Sequence, residues 1–269
     1  MDLQLKGKVA FITGSSSGIG ASIARTLAHE GATVIVHGRN AERTKQVADE
    51  INEQGGKAFA VIGSLSEEVS AKTVVEEALK AAGRIDILVN NAGGTDAAPI
   101  TWENGSMADW HEKFEQNFFS AIRVIRAILP QMKDLGWGRI VQISTGLATQ
   151  PGAFMVDYAA AKAAMNNTTV SLAREFARFG ITINTVSPGP IVTPAFERVV
   201  RGTAEANGWG GDWDEIEKRF SQEVVPTPVG RVGRVEEIAN AVAFLASPLA
   251  GFINGANLRI DGGYVTAVN

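Results

Sequence analysis

The sequence predicts an α/β fold: one domain over residues 1–269 in which a doubly wound, roughly seven-stranded parallel sheet carries helices on both faces. Three observations predict it. Short β-branched runs alternate with longer segments of helical period along the chain, the order that lays crossover helices over parallel strands. A glycine-rich turn joins the first run to the first helical segment. Hydrophobic residues make up 45% of the chain and charged residues 20%, enough apolar surface to cover both faces of a sheet.

In chain order, "KVAFIT" reads as a strand, Ile19 to Glu30 as a helix and "TVIVH" as the second strand. Ala41 to Gln54 is helical, "KAFAVI" extended, Glu67 to Ala82 helical and "DILVNN" extended. The rhythm then repeats with a long helix over Met107 to Leu135, strand "RIVQIS", a helix over Val156 to Phe179 and strand "ITINTVS". A helix over Val235 to Ala246 and the strand "NLRI" end it. Right-handed crossovers put the ligand crevice beyond the carboxyl ends of these strands. One stretch, Pro190 to Val232, has helical character but no expected strand, and is read as a substrate lid. Within it Trp209 and Trp213, flanked by glycines, are either hinged walls of a pocket or anchors of the lid on the core.

Net charge is −4 with no basic cluster, which excludes a partner bound through its phosphate backbone. No cysteine is present, so disulfides, thiolate metal sites and cysteine nucleophiles are excluded together. His29, His37 and His111 are scattered, and no catalytic metal is expected. No apolar run is long enough to span a bilayer and no signal pattern opens the chain, so no membrane partner is expected and the location read is cytoplasmic.

"KVAFITGSSSGIGASIARTLAHEG" places Gly14, Gly18 and Gly20 between strand and helix. Glycines let backbone approach a pyrophosphate, and the opening helix end offers free N–H groups and a positive dipole. Ser16, Ser17 and Ile19 fill the rest of this cradle for a dinucleotide. At the end of the second strand, where an acid would select NAD, stand Gly38, Arg39 and Asn40. The Arg39 guanidinium suits a 2′-phosphate, so NADP(H) is favoured over NAD(H); the other reading is a solvated residue opening the next helix. "DYAAAK" sets Tyr158 and Lys162 four apart, on one face of a helix.

These residues resemble the short-chain dehydrogenase/reductase family over almost the whole chain. The glycine turn after Thr13, "NNAG" from Asn90 to Gly93, Asn117 in "FEQNFFSA", the Tyr158/Lys162 pair and Pro188-Gly189 with Thr193 stand in the family's order. "DYAAAKAAM" and "INGANLRIDGGY" look like its 3-oxoacyl reductase branch. The resemblance implies a Rossmann fold and hydride transfer between a nicotinamide cofactor and a small carbonyl or alcohol, with Tyr158 as general acid/base. It implies that Lys162 lowers the phenol and holds a ribose, and that Asn117 holds a water linking Lys162 to solvent. The active-site hydroxyl lies thirteen before the tyrosine, at Thr145 by spacing; by residue type it is Ser144. Asn91, Ala92 and Gly93 line the adenosine side, and Pro188, Gly189, Ile191 and Thr193 close over the nicotinamide. Ser64, beside Leu65, stands where the family often has an adenine-side aspartate, and Ser17 where NADP-using relatives often carry a base. A homotetramer is implied. The alternatives are a 3-oxoacyl-thioester reductase, an NAD-dependent alcohol dehydrogenase, or a dinucleotide sensor that lost its chemistry.

Overall fold

The computed structural model describes residues 1–95 and 99–268. Its centre is a seven-stranded, wholly parallel sheet built from β1 (Val9–Ile12), β2 (Thr33–Gly38), β3 (Lys57–Ile62), β4 (Ile87–Asn90), β5 (Gly138–Ile143), β6 (Ile181–Pro188) and, last in the chain, β9 (Asn257–Ile260). The spatial order is β3-β2-β1-β4-β5-β6-β9. Chain order reverses between β1 and β4, so both strands' connections leave in opposite directions and a crevice opens at their carboxyl ends.

Strand residues alternate between the two faces, and each set meets its own helices. Ala10, Ile12, Val34 and Val36 pack with α1 (Gly18–His29), α2 (Ala41–Glu53) and α9 (Val235–Ala246). Phe11, Ile35 and Leu88 pack with α3 (Glu68–Ala82) and with α5 (Ser120–Leu135), to which α6 (Val156–Phe176) adds Ala173. Val124, Ile125, Ile128 and Met132 of α5 are all buried, so its apolar stripe serves the core.

The long helix expected over Met107 to Leu135 departs from the regular period at one place. It runs as α4 (Met107–Phe114), a π-turn over Glu115–Phe119, then α5. Asn117 sits inside that turn, and such widened turns occur where a side chain must leave the regular helical register.

Segment 190–232, read from sequence as a lid, also departs from expectation, since a two-residue strand lies inside it: β7 (Ile191–Val192) pairs in parallel with β8 (Gly233–Arg234). Two lid helices follow β7, α7 (Pro194–Asn207) and α8 (Trp213–Arg219). They close a third apolar cluster of Val200, Ala204, Trp209, Ile216, Phe220 and Val232. Trp209 is therefore an anchor; Trp213 packs on the same cluster with the Arg201 guanidinium 5.1 Å from its ring. Glu217, nearly buried on α8, takes two bonds from Arg234 at 2.6 and 2.9 Å and one from the Val232 N–H at 3.1 Å. Burial pushes that carboxyl up, but the Arg234 guanidinium pulls it further down, and it is ionised below the usual range. Glu217→Gln loses one of those acceptors and should speed amide exchange across α8 while leaving the central sheet protected, as hydrogen-exchange mass spectrometry would read. Among the described residues no helix is long and apolar enough to cross a membrane.

Candidate active site

The glycine turn between β1 and α1 is set by contacts that leave no space for side chains. A Cβ on Gly20 would lie 2.4 Å from the Asn91 amide nitrogen and 2.5 Å from the Gly14 carbonyl. A Cβ on Gly14 would lie 2.8 Å from the Cα of Ala92, and Gly14 is in the left-handed region at φ 64°. Asn91 braces this turn: its amide donates to the Thr13 and Gly14 carbonyls at 3.1 and 2.9 Å. Thr13 answers from below, its hydroxyl accepting the N–H groups of Asn91 and Ala92 at 3.1 and 3.0 Å. The open end of α1 is left positive, because Ser17 makes no side-chain cap and the first turn holds no acid. The turn, the free helix end and the adjoining strand end fit a pyrophosphate.

A residue the sequence reading passed over holds this cradle. His37, 2% exposed at the end of β2, accepts the Gly14 N–H on Nδ1 at 3.2 Å and meets the Gly63 carbonyl with Nε2 at 3.2 Å. These partners place its proton on Nε2. The N–H of His37 also donates to the Ser15 hydroxyl, which in turn donates to the Ile12 carbonyl. Nothing in the local pattern distinguishes Ser15, buried in this knot, from Ser16 and exposed Ser17 beside it.

Burial pushes His37 down from 6.5 to about 4. The unfolded chain therefore binds a proton in this interval that the folded chain refuses. The stability contributed by neutral His37 is fully present above pH 6.5 and is lost as pH falls toward 4, by roughly 3 kcal/mol for the whole interval. His37→Asn keeps an acceptor near Gly14 and removes the titration. Urea unfolding at pH 7 and pH 4.5 should show a smaller acid loss in the variant; equal losses in both proteins would count against this assignment.

At the second-strand end, a Cβ on Gly38 would come within 2.6 Å of the Thr44 hydroxyl and 2.9 Å of Ser16. No acid fits there while Ser16 keeps its place. Arg39 is exposed beside it, and the Asn40 side chain caps α2 by accepting the Arg43 N–H at 2.9 Å. Across the crevice Ser64 bonds Ser66, and Leu65 is buried in the core. Thr193 caps α7, and its methyl would lie 3.5 Å from a Cβ on Gly18, so the lid root faces the glycine turn closely. Ile191 is buried behind it, and Gly189 donates its N–H to the Ile260 carbonyl at 2.9 Å. Gly93 is packed against Asn117: a Cβ there would meet the amide oxygen at 2.5 Å.

The second half of the site stands beyond the carboxyl end of β5. Tyr158 and Lys162 share one face of α6, and the Lys162 ammonium donates to the Ile143 carbonyl at 2.7 Å while lying 5.9 Å from the Tyr158 ring centroid. Of the two candidate hydroxyls, Ser144 is buried and turned to the Lys162 carbonyl at 3.3 Å, whereas Thr145 lies beside the phenol. Adjacent residues of an extended segment face opposite ways, and here only Thr145 faces Tyr158.

Burial pushes the Tyr158 phenol up to about 12, with the Thr145 hydroxyl pulling it partly back. The Lys162 ammonium donates to the Ile143 carbonyl, and burial pushes Lys162 down to about 8. Asn117 is likewise engaged, accepting the Gly94 N–H at 2.8 Å and donating to the carbonyls of Gly94 and Lys113 at 3.2 and 3.1 Å. Its amide fixes the loop after β4. A cleft beside Tyr158 is lined by Thr95, Ile100, Lys113, Met155 and Asp157. Met155 holds the left-handed conformation at φ 54°, immediately before α6.

A pyrophosphate cradle and a half-buried tyrosine beside a buried lysine at the carboxyl ends of the strands define a dehydrogenase of the doubly wound class. The chain belongs to the short chain dehydrogenase family, whose model matches residues 8–203. It is 38% identical over 264 residues to the 3-oxoacyl-(acyl-carrier-protein) reductase of Aquifex aeolicus (strain VF5), covering 98% of this chain and 99% of that one. A 7 alpha-hydroxysteroid dehydrogenase complexed with NADH and 7-oxo glycochenodeoxycholic acid superposes with a TM-score of 0.87 at 35% identity, covering 100% of this chain and 98% of that one. The L-sorbose reductase from Gluconobacter frateurii, complexed with NADPH and L-sorbose, gives a TM-score of 0.92 at 32% identity and covers 100% of both chains.

Proposed function

We propose that this oxidoreductase reduces a ketone or aldehyde to an alcohol with NADPH, as one catalytic domain whose segment 190–232 closes over the substrate. The observation that carries the reading is the meeting of the Tyr158 phenol, the Thr145 hydroxyl and the Lys162 ammonium at the carboxyl end of β5. The nicotinamide nucleotide, when bound, supplies the hydride. Gly14, Gly18 and Gly20 hold its pyrophosphate on the end of α1, and Arg39 with Ser16 takes the 2′-phosphate. NADPH and NADH each accompany one of the relatives above, so the preference rests on Gly38 and Arg39 in this chain.

Burial sets the resting state of the phenol. Bringing a phenol from about 12 to neutrality needs about 7 kcal/mol, whereas one cation 5.9 Å from the ring supplies roughly 3 near a protein surface. Tyr158 thus rests protonated and acts as an acid. Its proton passes to the carbonyl oxygen as the carbon is reduced, the Thr145 hydroxyl donates to that same oxygen, and Lys162 stabilises the phenolate left behind. Because Lys162 holds its charge only up to about 8, the reduction rate should fall above that pH; a flat profile through pH 9.5 would remove Lys162 from this role.

The first test is reduced-cofactor absorbance with NADPH and NADH in parallel, across ketones, aldehydes, diketones, L-sorbose, a 7-oxo bile acid and a 3-oxoacyl thioester. Turnover with NADPH above NADH is expected. Tight NADPH binding with no turnover on any of these would move the reading to a dinucleotide sensor. A second copy of this chain is the expected partner, supported by exposed Trp102 and Phe119 at the two ends of an aromatic row through Trp110, Phe114 and Phe118; sedimentation should give a tetramer. A cytoplasmic location completes the reading and suits a chain without cysteine.

A further inference from the structure

The segment that follows β9 folds back over the site. The Asp261 carboxylate accepts the N–H groups of Gly263 and Val265, both at 3.0 Å, which bends the chain into a strap. Three parts of the site are fastened to it. At the nicotinamide turn, a Cβ on Gly189 would come within 2.7 Å of the Asp261 Cα, so strap and turn are in backbone contact. At the lid root, the Val229 N–H donates to the Gly262 carbonyl at 3.2 Å.

The third fastening reaches the active-site hydroxyl. Val265, 5% exposed, lies on Gly146, where a Cβ would meet its Cγ2 at 2.8 Å. One residue beyond, the Gln150 amide oxygen accepts both the N–H and the hydroxyl of Thr266, at 2.7 and 2.8 Å across 116 residues of chain. Arg259 holds the far side of the strap by donating to the Ala267 carbonyl. Between Gly146 and Gln150 runs a tight turn: Gly146 accepts the N–H groups of Thr149 and Gln150 at 3.1 and 3.0 Å, and the Thr145 hydroxyl accepts the Leu147 N–H at 3.3 Å. Thr145 thus stands between the turn that the strap pins and the phenol it faces. A tie made only for stability would have no need to converge on the turns that end β5 and β6 and on the lid root.

We propose that Gln150, acting with the strap Asp261–Ala267, is a positioning residue: it holds the Thr145–Gln150 turn where the Thr145 hydroxyl meets the Tyr158 phenol. This rests on the reading of Tyr158 and Thr145 above. The amide oxygen is the working atom, so Gln150→Glu should preserve the function and Gln150→Met should remove it.

The experiment compares wild type, Gln150→Met and Gln150→Glu by kcat and KM with the best carbonyl substrate, by the pH profile of the reverse oxidation, by NADPH affinity, and by amide exchange over residues 145–150. Gln150→Met should lower kcat roughly tenfold. It should also move the rising limb of oxidation, which reports the phenol, to higher pH, since the pull of Thr145 is weakened. Exchange over the turn should quicken, NADPH affinity should stay within about twofold, and Gln150→Glu should behave as wild type. Unchanged exchange in Gln150→Met, equal impairment in Gln150→Glu, or a loss of rate with the pH limb unmoved would each overturn the proposal. Absence of turnover in the wild type is a different result, and it would sink the catalytic reading on which the proposal stands.

Discussion

Tyr158→Phe is expected to lower kcat for carbonyl reduction by at least about 1,000-fold, because the substitution removes the proton donor and leaves the ring in place. NADPH affinity should change by no more than a few-fold, and stability by about 1 kcal/mol, since the phenol's neighbour is one hydroxyl at the cleft. The companion comparison separates the two hydroxyls that spacing and residue type left open. Thr145→Val should cost roughly 10- to 100-fold in kcat/KM, Thr145→Ser should retain most activity, and Ser144→Ala should act mainly on stability, because Ser144 is bonded to the Lys162 carbonyl and turned from the phenol. Steady-state kinetics with one carbonyl substrate decides both. A Tyr158→Phe enzyme keeping a tenth of its rate would remove the tyrosine as proton donor, and a Thr145→Val enzyme of full activity would return the role to Ser144.

The second large effect concerns the cofactor. Arg39→Ser should reduce kcat/KM for NADPH by about 10- to 100-fold while leaving that for NADH within about threefold, the loss expected when a charge-assisted bond to phosphate is removed at an exposed site. Gly38→Asp is the instructive contrast. Its Cβ would press on Thr44 and Ser16, so it should weaken both cofactors through displacement of the turn as well as repelling the 2′-phosphate. Parallel titrations with the two reduced nucleotides read these outcomes. Equal losses for both cofactors in Arg39→Ser would mean that the guanidinium orders the end of β2 and does not read the phosphate.

Much of the architecture was legible in one dimension because its signals are local. The β-branched runs and the helical segments between them carry their periods in consecutive residues, and the sheet followed with all its central strands in place. The glycine turn was legible because a strand, a close turn and a helix end must adjoin in sequence to receive an anion. Two-residue β7 was not, since a pair of residues has no period and owes its extended form to pairing with β8. The π-turn at Asn117 was hidden for a similar reason: its residues are ordinary helix formers, and the widening is held by bonds to Gly94, more than twenty residues earlier.

The sequence by itself determined the residue types of the site and their spacing: a phenol and an ammonium one helical turn apart, a glycine turn that admits a pyrophosphate, and an arginine in place of an acid at the second strand's end. Tertiary structure alone decided which hydroxyl faces the phenol, that the ammonium rests on the Ile143 carbonyl, that burial carries Tyr158 to about 12, that His37 ties the glycine turn to the ends of β2 and β3, and that Gln150 meets Thr266. The division has a physical cause. Spacing along a helix or strand fixes direction within one element, whereas desolvation and hydrogen bonds depend on what a different part of the chain brings alongside.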